Sequence, residues 1–431
     1  MTDTTASYLL RGRQAKTCPR QPIDLQDPDQ HLAPDLHAVY ADLRRDDPVY
    51  WNKEDNGPGF WAVTRYDDVV SVLKSTDIFS ADFRHGGVRI FDVKESTAQP
   101  RPSMLALDPP DHGDLRRALN PLFSQQRTAT YALLARKQAH DLVARVAAVG
   151  RCEVVADIAL PMVGGFLAFL LDVSHDDGVM LTRHARVINA DDDREYTPAT
   201  RARTLLKVNA YLKMLLDRPE QPARPNLIDA MRRGRFNGAP LDKEMLWVNF
   251  CTFLIAATEM TQHSIARMML ALTRFPAFRA ALRDRPADTD LAVKELLRWM
   301  SVTKHMRRTA TQDVILGGQA IRAGDKVVVW YEAANHDDSK WDNPGDLRFD
   351  RFASAACPGH LAFGTGVHHC IGWRFAELQV TAVLEEIMAI IPDATAIDEG
   401  RPLRSNLMGG LKSLELRFTP RPFEAVAPAD A

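Results

Sequence analysis

The stretch 241–274 is the feature any fold of this chain must accommodate. Its segment "LWVNFCTFLIAA" is apolar nearly all round, as a helix running through a core must be. Asp242 stands where a carboxylate can cap the first turn. Helical periodicity dominates the rest of the chain. Helices are expected over 34–46, 66–75, 111–122, 125–148, 158–172, 178–190, 198–217, 289–300 and 371–390. Pro222 and Pro225 lie where the 198–217 helix has ended. Short strands are expected over 48–53, 59–64, 312–316, 320–322 and 326–330, with "LGG" at 316–318 as a hairpin turn. The region 335–369 is loop-rich. The expected fold class is mainly α (α+β), helix-rich with small β-sheets. Residues 1–22 and 421–431 are expected to be flexible tails. Residues 23–420 are expected to form a single unit, because the functional pieces below are spread from residue 112 to 370.

A chain of 431 residues can bury a large core. With a formal net charge of −2 and 45% hydrophobic residues, its composition is that of an ordinary globular protein. The near-neutral balance argues against nucleic acid as a partner. The longest apolar run, 158–171, contains Pro161 and falls short of the roughly 20 residues of a membrane span. The opening "MTDTTASYLLRGRQAKTCPRQ" lacks the apolar core of a signal peptide. A soluble, cytoplasmic protein with no membrane association is expected. Five irregularly spaced cysteines (18, 152, 251, 357, 370) fit a reducing compartment with one candidate functional thiol.

That thiol is in "FGTGVHHCIG", Phe363 to Gly372. A cysteine acts as nucleophile or metal ligand only as thiolate. The following "IGWRFAELQVTAVLEEIMAI" has no proline and carries apolar residues at 371, 375, 378, 384 and 387. Cys370 is therefore expected at a helix N-terminus, where free N–H groups and the dipole favour negative sulfur. Gly364, Gly366 and Gly372 permit a close approach that side chains would block. Three chemistries compete: a structural cysteine, a zinc site of His368, His369 and Cys370, and an axial thiolate to haem iron. Adjacent ligands converge poorly on a tetrahedral metal, and no second CxxC or HxxxH completes the zinc set.

The ten residues Phe363, Gly364, Thr365, Gly366, Val367, His368, His369, Cys370, Ile371 and Gly372 resemble the haem-binding signature of the cytochrome P450 family. Upstream, Glu295-Leu296-Leu297-Arg298 resembles the family's Glu-x-x-Arg. "NPGDLRFDRF" resembles the segment whose arginine, here Arg351, completes a buried Glu/Arg/Arg cluster. Taken alone, Glu295 and Arg298 are two charges three apart on a helix face, by default a solvated pair. "LDPPDHGDLRRALNPLF" resembles the haem-edge helix, which implies that His112 and Arg116 bind propionates. Arg308 and His368 match further propionate contacts. Taken alone, His112 and Arg116 are two polar groups on one helix face. "DPDQHLAPDLHAVYADLRRDDPVYW" is also similar to the family's opening, so the resemblance covers roughly 27–420.

On the oxygen side, Ala256-Ala257-Thr258-Glu259-Met260-Thr261 resembles the family's segment of two small residues, any residue, an acid and two alcohols. The resemblance implies that Ala256 and Ala257 leave room for O2 and that Glu259 helps deliver protons. It also exposes a departure: Met260 stands where the first alcohol is expected, and a thioether has no proton to donate. In one reading Met260 only fills space and Thr261 is an ordinary helix residue. In the other, proton delivery is rerouted through Glu259 and waters, through Thr258 or Thr261 after a local helix distortion, or through a substrate hydroxyl.

The resemblance implies haem b (iron protoporphyrin IX) with Cys370 as axial ligand, and O2 as co-substrate. It implies a small or medium-sized organic substrate hydroxylated at a C–H bond. No glycine-rich nucleotide motif follows an expected strand, so electrons from NAD(P)H are expected through a separate ferredoxin and ferredoxin reductase. A monomer is expected. The substrate pocket is expected from the 81–103 loop, the 188–200 loop, the distal helix, residues 301–306 and the 405–410 turn. The charges at 191–195 read as a solvated loop tip, and Arg84 and Arg89 as solvated unless a substrate carboxylate meets them. Two alternatives remain: peroxide-driven, coupling or other atypical oxidation on the same fold, and a non-catalytic haem-binding or sensor protein.

Overall fold

A computed structural model describes residues 23–55, 57–91, 101–190, 193–221, 223–354 and 356–421. The expected tail 1–22, all of the expected tail 421–431 except Arg421, part of the 81–103 loop (92–100), residues 191–192 and Pro222 lie outside these. The distal helix runs unbroken over Lys243–Arg274. Asp242 caps it, its carboxylate accepting the Met245 N–H at 2.8 Å. Its buried residues lie on every side, from Phe250 and Phe253 to Met268 and Leu272.

The other expected helices form with small shifts at their ends. A π-turn at Val155–Ala159 leads into Leu160–Leu171, which places Pro161 in the first turn of the α-helical segment. The helix after Cys370 covers Trp373–Ile390 and starts two residues later than expected. Phe375 anchors it. This ring, 1% exposed, packs among Phe123, Tyr131, Phe166 and Phe169 with centroid separations of 4.9–6.4 Å. Truncating such a ring costs about 3–5 kcal/mol. Among the described residues no single helix is long and apolar enough to cross a membrane.

Five strands make the main sheet, in the order Val49–Asn52, Phe60–Val63, Lys326–Trp330, His305–Ala310, Phe79–Ser80. Lys326–Trp330 pairs parallel with Phe60–Val63 and antiparallel with His305–Ala310, Val327 opposite Arg308. The strand His305–Ala310 is absent from the sequence expectation. Its text "HMRRTA" places two arginines inside a sheet, against any hydrophobic pattern. They are tolerated because successive side chains face opposite sides. Arg307 reaches the His85 carbonyl (3.3 Å), and Arg308 lines the cavity. The 316–318 hairpin forms between Val314–Leu316 and Gln319–Ile321, with Gly317 and Gly318 at φ 55° and 82°.

One surface expectation is corrected. Asp193, read as part of a solvated loop tip, is 7% exposed and accepts an ion pair from Lys412 at 2.8 Å. Lys412 also pairs with Glu195, so this loop is tied to the strand Leu411–Ser413. Short-range charge density could not show a partner more than two hundred residues away.

Candidate active site

The structure brings the cysteine turn, the distal helix and the haem-edge helix to one cavity of about 1110 Å³. Cys370 lies on its floor. The turn that presents it is held by the Cys370 N–H donating to the Phe363 carbonyl at 3.0 Å. Gly366 is at φ 72°, and a Cβ there would meet the Leu73 carbonyl at 2.5 Å, so only glycine fits. Burial pushes the Cys370 thiol up. The N–H groups of Gly372 and Trp373 and the charge of Arg116 oppose it. Phe363, Gly364 and Gly372 line the cavity beside it.

Four nitrogen-bearing side chains gather on one wall. His112 comes from Asp111–Leu119, Arg308 from the irregularly charged strand, and His368 from the 3-10 turn Gly366–His368. Arg116, also from Asp111–Leu119, donates to the His369 carbonyl at 2.8 Å. The His112 and His368 rings lie 4.2 Å apart. Burial, with neighbouring Arg116 and Arg308, holds His112 down to about 4 and His368 to about 2. His368 Nε2 and Arg308 Nε are buried without a protein partner. A wall with this much unmatched donor capacity fits a ligand carrying two carboxylates.

Behind the cysteine turn, Glu295 accepts both N–H groups of the Arg298 fork at 2.8 Å and Arg351 Nε at 2.9 Å. Arg298 spends its remaining donors on the carbonyls of Asn335 (2.7 Å), Pro344 (2.9 Å) and Asp346 (3.1 Å). The side chains of Glu295 and Arg298 are fully buried, and Arg351 is 6% exposed. None of the three lines the cavity.

Opposite the cysteine, Ala256, Ala257, Met260, Thr261 and Ser264 line the cavity. Thr258 and Glu259 do not. The Thr258 hydroxyl donates back to the Leu254 carbonyl at 2.8 Å. Glu259, 2% exposed, turns to Gln262 (2.6 Å) and His263 (3.7 Å). Thr261 reaches the cavity from an undistorted helix. Met260 Sδ accepts a hydrogen bond from the Thr303 hydroxyl at 3.1 Å, which fixes the thioether in place.

All five elements expected around the substrate contribute, among them Phe83, Asn189, Val248, Thr303 and Leu407. Arg89 also lines the cavity, whereas Arg84 pairs with Asp82 at 2.7 Å on the surface. Sequence reasoning missed Gln379 and His263. Only His263 left a signal, four residues after Glu259 and hence on the same helix face. Among the described residues no group of three or more His, Cys, Asp or Glu could hold a metal ion, so His368, His369 and Cys370 do not converge.

The family model "Cytochrome P450" matches residues 289–389. The chain is 32% identical over 406 residues to linalool 8-monooxygenase of Pseudomonas putida, covering 92% of this chain and 99% of that protein. The chain belongs to the cytochrome P450 family. It is 30% identical to cytochrome P450 NovI of Streptomyces niveus, over 92% of this chain and 96% of the other. A P450 from Mycobacterium marinum solved with pseudoionone superposes with a TM-score of 0.83 at 27% identity, covering 94% of this chain and all of that one. P450-153 from Novosphingobium aromaticivorans gives 0.81 at 26% identity, over 92% and 99%. The protein is thus a P450 monooxygenase, an oxidoreductase, and the family implies haem, O2, a small-molecule substrate and redox partners. The residues present fit the haem. A buried thiol receives backbone N–H groups on one face of the cavity, and cationic and N–H donors without partners lie at its edge.

Proposed function

We propose that this P450 hydroxylates a flexible, mostly apolar organic molecule of terpenoid size, with haem b held by Cys370 at the iron. The observation that carries the reading is one cavity lined by Cys370 and by the small residues Ala256 and Ala257, with His112, Arg116, Arg308 and His368 gathered together. Those four would hold the propionates, and Phe363, Gly364 and Gly372 would leave room for the macrocycle. Bound there, haem supplies O2 activation and the insertion of one oxygen atom into a C–H bond, the other leaving as water. The Cys370 N–H bonds and the Glu295, Arg298 and Arg351 network fix the turn, so the sulfur is positioned before the group arrives. The substrate class is drawn from two relatives, one named for linalool and one solved with pseudoionone. It is supported by apolar lining from Val248, Ile255, Met260 and Val302.

The distal side chains order the polar end of this picture. Met260, fixed by Thr303, occupies space without donating a proton. Thr261 presents a hydroxyl on the cavity face of the helix and can orient water there. Electrons would come from NAD(P)H through a ferredoxin and its reductase, docking over the cysteine face near exposed Arg117 and Arg374. The chain from 23 to 420 would act as one catalytic unit, working as a monomer in the cytoplasm.

The test is a ligand screen by the ferric spin-state change, followed by turnover with NADPH, ferredoxin and reductase. Acyclic terpenoid alcohols and ketones should displace iron-bound water and yield hydroxylated products. A protein that loads haem but shifts with none of them overturns the substrate class. Met260 favours a second reading, oxidation driven by peroxide, which bypasses proton delivery to O2. Faster product formation with peroxide alone than with redox partners would select it.

A further inference from the structure

Three side chains on the far face of the distal helix form a buried group that the site above does not use. Glu259 is 2% exposed, Gln262 fully buried and His263 1% exposed. Gln262 Nε2 donates to Glu259 Oε1 at 2.6 Å, and His263 Nε2 lies 3.7 Å from Glu259 Oε2. Both ring nitrogens of His263 and the Oε1 of Gln262 are buried without a protein partner. A neutral imidazole always presents one donor and one acceptor. Leaving both unpaired beside a carboxylate is costly, and the usual remedy is a buried water with two to four polar partners.

The surrounding backbone is shaped to this group. A Cβ on Gly410 would come within 2.6 Å of the His263 ring, and one on Gly409 within 2.5 Å of Arg267. The glycine pair therefore lets the 405–410 turn lie flat on both side chains. One helical turn beyond His263, Arg267 donates to the Gly409 carbonyl at 3.1 Å. Its charge faces Glu332, which is also shared by Lys304. His37 approaches Glu332 at 3.8 Å and is 47% exposed. A line of polar groups thus leads from Glu259 to the surface.

We infer that His263 is the proton-positioning residue of this enzyme: with Gln262 it holds a buried water and keeps a transferable proton within reach of Glu259. Gln262 bonds Glu259 but, as an amide, has no proton to give; a ring N–H of His263 does. Protonated Glu259, which does not line the cavity in this arrangement, has to turn toward it to release one proton there. The His263 N–H then protonates the carboxylate as its other ring nitrogen takes a proton from hydronium arriving through water along the polar line. One proton passes from bulk to cavity and no electron moves. This supplies by side-chain chemistry what the thioether at 260 cannot. The inference rests on the monooxygenase reading of the site.

The experiment compares wild type, His263→Leu and His263→Gln, each loaded with haem. In His263→Leu the share of NADPH electrons lost as peroxide should rise at least about twofold, with the substrate-induced spin-state change unaltered. His263→Gln can hold water but not a transferable proton. It should recover thermal stability without recovering coupling, whereas a merely structural role would move the two together. Unchanged coupling in a folded His263→Leu overturns the inference. Independently of turnover, a high-resolution structure of the resting wild type should show an ordered water on a His263 ring nitrogen and Gln262 Oε1. Its absence also overturns it, and that measurement decides the matter if the variants do not fold. Failure of the monooxygenase reading looks different: the reduced protein with carbon monoxide would lack the strongly red-shifted Soret band.

Discussion

The cysteine side and the distal side of this cavity handle polar groups in opposite ways. Behind Cys370, Glu295 accepts from Arg298, Arg351 and the Arg348 N–H, and Arg298 spends its remaining donors on three carbonyls. The network is closed. Around Glu259, Gln262 Oε1 and both His263 nitrogens have no protein partner, and a thioether replaces an alcohol. A site that must hold one atom still satisfies every bond in advance. Under the proposed relay, the distal side keeps hydrogen-bonding capacity open for water.

Four experiments break or sharpen this contrast. The largest effect is expected from Cys370→Ala. The red-shifted carbon monoxide band should vanish and turnover fall below detection, since no other buried thiol lines the cavity among the described residues. Next, Glu295→Gln leaves Arg298 fully buried without its counter-charge. Denaturant melts should show a loss of about 3–5 kcal/mol, against under ~1 kcal/mol for the exposed pair Arg348–Asp350. Equal losses would mean the closed network is no more than surface charge.

Third, apoprotein stability should depend on pH through His112. Its folded value of about 4 lies below the ordinary 6.5, so the unfolded chain binds the extra proton. The stability conferred by neutral His112 is full above about 6.5 and declines as pH falls toward 4, by up to about 3 kcal/mol. His112→Gln should flatten that slope in denaturant titrations. A slope unchanged in the variant would remove His112 as its source. The smallest effect is expected at the distal side. Met260→Thr should raise product formed per NADPH by about twofold to a few-fold, since one positioned donor is gained. If coupling stays level or worsens, Met260 does not limit protonation and the open side of the contrast loses its support.

The helices were legible because apolar residues recur at their own period, and the distal helix and its Asp242 cap appear at nearly the expected residues. The cysteine turn was legible because Gly366 admits no Cβ against Leu73. The strand His305–Ala310 was not. Its arginines are held by the His85 carbonyl and the cavity, partners that no local window contains. Asp193 was misread for the same reason, its partner Lys412 being remote in sequence. Thr258 looked equal to Thr261 as an alcohol. Helix phase turned one back onto Leu254 and the other into the cavity.

Local sequence was enough to place a thiol in a glycine-rich turn, to show which helix crosses the core, and to reveal that an alcohol is missing at position 260. These are properties of short segments, set by glycine sterics, periodicity and side-chain chemistry. Only the tertiary structure decided that Glu259 turns away from the cavity, that Thr303 holds the Met260 sulfur, and that Gly409 and Gly410 close over Arg267 and His263. Those outcomes depend on which distant backbone packs against a given helix face, and burial there determines whether a polar atom finds a protein partner or needs water.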